Sequence, residues 1–261
     1  FAAAGDAEAQ VLQQRLAGLG QQQAGQVFRN ADWAAAKQQL LARLRSAGYA
    51  AATVQTSAAD IDASERTASL RVTLDSGPLY RSGPVLVRGL VHHDESMVQE
   101  LAGFGAGTPL TEEHLVAFQD RLQKTRLFQS VQVRYDPELT DTARTPVLVQ
   151  LVELPLQQAT VGVGVSANTG PRTTLEHTHR RPFGWPAVAY NKVEWGHATQ
   201  SWTADLQSHP GRNFYRNLLG VQIERVVGDT DVVLSQRLRL GRTQDTPRIE
   251  RLYFLELLRS R

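Results

Sequence analysis

The sequence predicts an α+β arm of two β-α-α-β-β repeats followed by antiparallel transmembrane β-barrel strands of an incomplete barrel. Three observations predict it. First, apolar spacing over residues 1–155 alternates between helical and strand periods, and the order recurs: Leu44 aligns with Leu122, and Tyr49 with Phe128, at offsets of 78 and 79 residues. A repeat of that length is a tandem domain rather than a short solenoid unit. Second, from Thr160 onward the helical pattern stops and only strand-length segments joined by polar turns remain. Third, the apolar runs are a few residues long, too short for a transmembrane helix but suited to strands whose two faces differ.

Composition narrows the function classes. The 261 residues carry 28 basic and 26 acidic side chains, a net charge of +2, too balanced to point to nucleic acid as a partner. With no cysteine, neither a disulfide framework nor a thiolate metal site exists, a composition that suits an oxidising compartment such as the periplasm. No residue pattern calls for a cofactor.

In the first repeat, Asp6 is placed to cap a helix running to about Gly18 through Val11, Leu12 and Leu16. Asp32 is expected to cap a second helix, with Trp33, Ala36, Leu40, Leu44 and Ala47 on its apolar face and Gly48 just past its end. Residues 49–57 read as a strand and 58–66 as a polar hairpin. In the next strand Leu70, Val72 and Leu74 alternate with Ser69, Arg71 and Thr73. The turn Asp75-Ser76-Gly77-Pro78 closes the unit. Its opening strand is expected before Phe1, so the chain reads as a piece of a longer one.

The second repeat is complete. Residues 80–88 form a strand with Val85 and Val87 on one face, and Gly89 ends it. Asp94 caps a short helix to Leu101, and glycines 103, 105 and 107 break the chain. Thr111 caps a longer helix, with Glu112 and Glu113 in its positive first turn and Phe118 and Leu122 on its buried stripe. Leu110 and Leu115 are spaced as a hydrophobic staple. Strands over 128–135 and 147–153 follow, joined by a polar loop. The expected domains are therefore 1–78, 79–155 and 156–261.

Downstream, Val161, Val163 and Val165 alternate with Gly162, Gly164 and Ser166, and Asn168-Thr169-Gly170-Pro171 makes a tight turn. Further strands are expected over 172–180, 188–196, 202–207, 217–227, 232–241 and 248–258, about seven in all, mostly near the ~9–11 residues a tilted strand needs to cross a bilayer. Trp185, Trp195, Trp202, Phe214 and Tyr215 lie towards segment ends, where interfacial aromatics belong.

These residues carry a resemblance. Gly48-Tyr49, Asp75-Ser76-Gly77-Pro78 with Tyr80, Val87-Arg88-Gly89 and Arg126-Leu127-Phe128-Gln129-Ser130-Val131 resemble the signatures of POTRA domains. The stretch from Gly162 to Arg172 resembles the first barrel hairpin of the TamA-like outer-membrane assembly factors, relatives of the BamA insertase. Tyr215-Arg216-Asn217-Leu218 and residues 240–246 are similar to that family too. TamA-like proteins carry three POTRA domains and about sixteen barrel strands, so the resemblance covers only part of such a protein.

The resemblance implies a non-enzymatic factor of the cell outer membrane with its POTRA domains in the periplasm, helping autotransporters and other β-barrel clients insert. It implies a TamB-like periplasmic partner, unfolded outer-membrane protein clients and contact with outer-membrane lipid, and neither cofactor nor nucleic acid. A first barrel strand has backbone groups on one side that must be paired within lipid, where each unpaired group costs several kcal/mol. A weak seam there lets an incoming strand replace the partner by β-augmentation. Val161, Gly162, Val163, Gly164, Val165, Ser166 and Ala167 are the expected lateral gate, since glycine weakens a strand and admits another backbone. The same small residues would also serve merely to relieve crowding inside a barrel. Edges at 70–74 or 128–135 offer further pairing surfaces unless neighbouring domains cover them.

Other chemistry is poorly supported. His177 and His179 share one strand face with Glu176 on the other, an incomplete metal site. His92-His93-Asp94 opens a helix, where Asp94 is explained as a cap. Ser166 and His177 evoke a barrel phospholipase, but no serine lies in a Gly-x-Ser-x-Gly elbow. Arg180 and Arg181, with Arg237 and Arg239, are expected to line the lumen or pair with Glu224 and Glu250. A two-partner secretion transporter is the alternative within the class, disfavoured by the want of a plug helix or Pro-rich linker before the first repeat.

Overall fold

The computed structural model describes residue 25 and residues 27–137, 141–166, 170–228, 231–246 and 249–261. The helix expected over 6–18, the Asn168-Thr169 part of the first hairpin turn and gate residue Ala167 lie outside the described residues.

In the first repeat, helix α1 spans Asn30–Ser46. Its N-cap is Arg29, extended at φ −134°, rather than Asp32, which lies inside the first turn where its charge still faces the positive helix end. Leu41 and Leu44 are buried with Tyr49, Ala52 and Leu74, and Leu40 and Ala47 flank them. Gly48 ends the helix at φ +101°, a conformation other residues rarely adopt.

Strand β1 runs Thr53–Asp62 rather than over 49–57. The shift has two causes. Tyr49 faces the core from a turn closed by the Ala52 N–H to the Tyr49 carbonyl at 3.0 Å. At the other end Asp62 Oδ1 accepts from the N–H groups of Ser64 and Glu65 at 2.8 and 3.0 Å, tightening the hairpin to four residues. Strand β2, Thr67–Asp75, pairs antiparallel with β1.

The second repeat supplies β3 (Ser82–Arg88), α2 (Glu95–Glu100), α3 (Glu112–Gln123), β4 (Phe128–Tyr135) and β5 (Thr145–Glu153), with sheet order β3-β5-β4. Thr111 Oγ1 accepts from the His114 N–H at 3.2 Å, the expected cap. Asp94 occupies the N-cap backbone position of α2, but its carboxylate makes no cap bond and reaches Arg181 at 3.4 Å instead.

By compactness the chain divides into two units. One holds the described residues up to Leu86 with Phe104–Val116 and Val133–Leu148; the other holds Val87–Gly103, Ala117–Gln132 and Val149–Arg261. In the second unit Val98, Leu101, Phe118, Leu122 and Leu127 are buried to within 2% of full coverage. There Gly89, at φ +90°, lets the backbone run against β5: a Cβ would sit 1.9 Å from the Leu151 carbonyl oxygen.

From Gln157 onward the chain is a seven-stranded antiparallel meander: β6 (Gln157–Ser166), β7 (Gly170–His179), β8 (Ala187–Gly196), β9 (Thr199–Ser208), β10 (Tyr215–Val227), β11 (Val232–Asp245) and β12 (Glu250–Ser260), each paired with its sequence neighbours. Among the described residues β6 and β12 are the edges, so the barrel is not closed.

The register sorts the faces. One carries Val161, Val163 and Val165, then Leu175, Val193, Trp202, Leu206, Leu219, Val221, Leu238, Leu240, Leu255 and Leu257. The other carries Gly162, Thr174, Glu194, Lys192, Asp205, Arg239 and Glu256. One side is greasy and the other polar, as a membrane barrel requires. Followed strand by strand, Val163, the centre of the apolar stretch on β6, is level with Leu234 and, through its backbone pair, with Arg261. The apolar centre on β12 is Leu255, six residues back along the chain from Arg261. The band thus slips about one residue per strand. With ~3.3 Å per residue and ~4.8 Å between strands, that is a strand tilt of ~35°. The slant accounts for the polar interruptions on the greasy face: His177 and Asn191 fall below the band on β7 and β8, and Arg225, Gln236 and Arg259 above it on β10 to β12.

Candidate functional site

The candidate site is β6, the edge strand that follows directly on the second repeat. The side chains of Val161, Val163 and Val165 are 70%, 84% and 84% exposed on the greasy face. Gly162 and Gly164 lie on the polar face opposite Thr174 and Arg172 of β7. A Cβ on Gly162 would lie 2.6 Å from Thr174 Oγ1, so the glycine removes a local clash. Gly164 has no such neighbour nearer than 3.7 Å, and crowding does not explain it. Above Val161, β6 is therefore held by its ladder to β7 and little else. Its other edge carries unpaired backbone groups among the described residues.

The root of β6 is built differently. Arg180, at the start of the β7–β8 turn, is 7% exposed. Its Nη1 donates to the Pro155 carbonyl at 2.8 Å, its Nη2 to Gln158 Oε1 at 3.1 Å and its Nε to the Arg126 carbonyl at 3.2 Å. Its backbone N–H donates to Leu156 O at 2.8 Å, and its carbonyl faces His209 Nε2 at 3.2 Å. One side chain thus ties the α3–β4 turn, the connector and the start of β6 together.

Glu153 anchors the residue run beside it. Its Oε1 accepts from the N–H groups of Val91, His92 and His93, each at 3.0 Å, and its Oε2 lies 2.9 Å from His92 Nδ1. Burial pushes this carboxyl up, but the backbone donors and the His92 ring outweigh it and hold the group down at about 2. His93 is buried beside the β9–β10 turn, its ring 5.3 Å from that of His209 and edge-on to Phe128, with neither ring nitrogen hydrogen-bonded. Burial, then the neighbouring His93, lowers His209 to about 4, and burial lowers His93 as well.

Further contacts join the second repeat to the near-side turns. Arg181 meets Asp94, the Arg121 guanidinium lies 5.0 Å over the Phe214 ring, and Lys124 pairs with Asp245 at 3.1 Å. Arg121 also donates to the carbonyls of Leu101 and Ala102.

The arginine expectations need correction. Arg237 and Arg239 pair with Glu256, not with Glu224 or Glu250, because the register sets Arg239 directly opposite Glu256 on β12. Arg180 and Arg181 do not line the lumen face; both belong to the joint just described. Of the aromatics, Trp195 and Trp202 mark the far edge of the apolar band, whereas Phe214 packs beneath Arg121 in a turn. Trp185 sits with the 90% exposed Phe183 in the β7–β8 turn, below the band. His177 and His179 share a face with rings 6.3 Å apart, while Glu176 turns to Lys192 at 3.5 Å. Ser166 pairs with Gly170 and His177 with Ala159, so the register sets them at opposite ends of the hairpin. Among the described residues β1, β2, β3, β4 and β12 are edge strands as well, each with one side unpaired.

Sequence reasoning missed Glu153 and His209 and gave Arg180 a lumen role instead of this joint. None sits in a periodic or motif position, and each acts through partners distant in sequence. The one local signal was the pair of arginines followed by Pro182.

The comparisons with known proteins agree with this architecture. The POTRA family model, described as a surface antigen variable number repeat, matches residues 7–77. No curated protein matches the chain in sequence. Among solved structures, BamA from Haemophilus ducreyi lacking POTRA domains 1–3 is similar over 98% of this chain and 48% of its own, with a TM-score of 0.71 and 15% identity. CdiB from Acinetobacter baumannii is similar over 100% of this chain and 52% of its own, with a TM-score of 0.55 and 12% identity. CdiB from Escherichia coli is similar over 94% and 47%, with a TM-score of 0.51 and 14% identity. The chain spans about half the length of these structures. A POTRA match over residues 7–77 is thus followed, from Gln157 onward, by antiparallel strands, and the fold is similar to that of BamA and CdiB.

Proposed function

We propose that this chain belongs to an outer-membrane factor that assembles β-barrel clients, autotransporters among them, with its POTRA domains in the periplasm. The observation that carries the reading is β6: an edge strand with glycines on its polar face and exposed valines on the other, following directly on the second α+β repeat. Unpaired strand groups within hydrocarbon cost several kcal/mol each, and that cost is recovered when a client strand pairs with them. No nucleotide or other fuel enters this step. The seam formed by Val161 to Ala167 acts as the gate, the POTRA edges dock the incoming chain, and no catalytic residue or cofactor takes part. A TamB-like periplasmic protein is the proposed partner, and outer-membrane lipid and unfolded outer-membrane proteins complete the list; nucleic acid is not among them.

The test is reconstitution of the full-length protein in liposomes. Insertion of an unfolded autotransporter barrel, read by protease protection, should proceed at least several-fold faster than in empty liposomes, and a photocross-linker at Val163 should capture the client. A protein that secretes one dedicated client through its lumen instead would give neither result.

A further inference from the structure

We infer that Arg180 is a positioning residue that clamps the root of β6, so that strand exchange is confined to residues 159–166. The inference rests on the gate reading. It is carried by a contrast within one strand.

At the root, a buried guanidinium spans three acceptors on three pieces of chain: the Arg126 carbonyl in the α3–β4 turn, the Pro155 carbonyl in the connector and the Gln158 amide oxygen on β6 itself. The backbone of the same residue pairs with Leu156, and its carbonyl faces His209 in the next turn. Leu154 adds a bond from its N–H to the Leu127 carbonyl at 2.8 Å. Among the described residues no carboxylate neutralises Arg180; all its partners are neutral oxygens. Burying an uncompensated cation is expensive, and a plain apolar plug would hold two segments together at less cost. What the arginine adds is geometry. Its planar fork addresses several acceptors at fixed angles, which neither a hydrocarbon nor a lysine does.

Towards the other end of β6 there is no comparable tie among the described residues. At Gly162 and Gly164 it has no side chain on the polar face, and its valines stand in the open on the other. The Thr174 hydroxyl reaches the Gly162 carbonyl only at 3.5 Å. β6 is therefore firm below Ala159 and loose above it. A seam of this build unzips from the tip and stops at Gln158. A client strand is thus received in one register relative to the POTRA domain, because a slip of one residue would turn its apolar face inward.

The experiment uses the full-length protein in nanodiscs, with a photocross-linker at Gln157 or at Val163, and hydrogen exchange across β6. In the wild type, the client should cross-link from Val163 and not from Gln157, and amides 156–158 should exchange at least ~10-fold more slowly than 161–165. In Arg180→Gln, protection of 156–158 should fall to that of the tip while β8–β11 stay unchanged, and client cross-links should spread to Gln157. Arg180→Lys should behave like Arg180→Gln, since charge without the fork does not bridge three acceptors; rescue by lysine overturns the clamp. So does unchanged protection of 156–158 in Arg180→Gln, or wild-type cross-linking of equal strength at both positions. Gln158→Leu, which removes one acceptor and leaves the guanidinium two, should give an intermediate loss of protection and serves if Arg180→Gln does not fold. If no client cross-links at either position in the wild type, the gate reading fails, and the exchange data still decide whether Arg180 holds the root.

Discussion

Gly162 and Thr174 face each other across the β6–β7 ladder so closely that a Cβ on the glycine would stand 2.6 Å from the threonine hydroxyl. That relationship separates two roles for the glycine. If it only avoids a clash, Gly162→Ala with Thr174→Ala should be indistinguishable from wild type. If it also keeps the strand exchangeable, the double variant should still lose activity. We expect the second result. Alanine stiffens a strand by roughly 0.5–1 kcal/mol relative to glycine, so client insertion should slow about two- to five-fold while the barrel's thermal stability holds or rises. Insertion kinetics beside melting curves check this.

Glu153 should matter to stability more than its place at the end of β5 suggests. Its carboxylate satisfies three consecutive N–H groups, those of Val91, His92 and His93. Glu153→Ala leaves them without that partner and should cost about 1–3 kcal/mol, read by urea unfolding. The folded carboxyl titrates at about 2, below its ordinary 4.5. Its contribution is therefore complete above pH 4.5 and is lost as pH falls towards 2. Glu153→Gln should remove that acid-limb slope.

The His93–His209 pair gives a second, milder pH dependence. His209 is lowered to about 4 from 6.5, and His93 is lowered too, so the unfolded chain binds protons more readily than the folded one across that window. Stability should fall as pH drops from about 6.5 towards 4. Glu153, Asp94, Arg181 and His92 surround the pair, and protonation sets a second cation against Arg181. Because neither His93 nitrogen has a partner among the described residues, His93→Phe should keep the edge-on packing on Phe128, hold or raise stability at pH 7 and flatten the decline. Melting temperature against pH distinguishes these outcomes.

Gly89→Ala should be the most damaging single methyl. The position combines φ +90° with a would-be Cβ 1.9 Å from the Leu151 carbonyl oxygen. Relief requires moving backbone, and a loss above ~3 kcal/mol is expected, seen as a broadened or absent thermal transition beside an intact wild type.

Much of this was legible in the sequence because strands that bury one face must alternate. Seven segments after Thr160 were readable from that rule alone, and β8 was placed to within one residue at both ends. Where boundaries slipped, a local interaction outweighed the period: Tyr49 looks like a strand residue but faces the core from a turn, and Asp62 tightens a hairpin that composition alone makes longer. The edge strand β6 was visible as a glycine-valine alternation. The joint beneath it was not. Arg180 meets Arg126 over 54 positions and Glu153 meets Val91 over 62, and no local pattern encodes such pairs. Arg239 was misassigned for a related reason: its partner follows from register, which is fixed only when the whole sheet is assembled.

The central claim is that the seam at β6 must part for a client to enter. The most direct measurement introduces one cysteine at Val161 and one at the facing position of the last strand of the full-length barrel, and follows autotransporter insertion into liposomes before and after oxidation. The account predicts that oxidation stops insertion and that reduction restores it. Insertion at the full rate with the seam locked would contradict it.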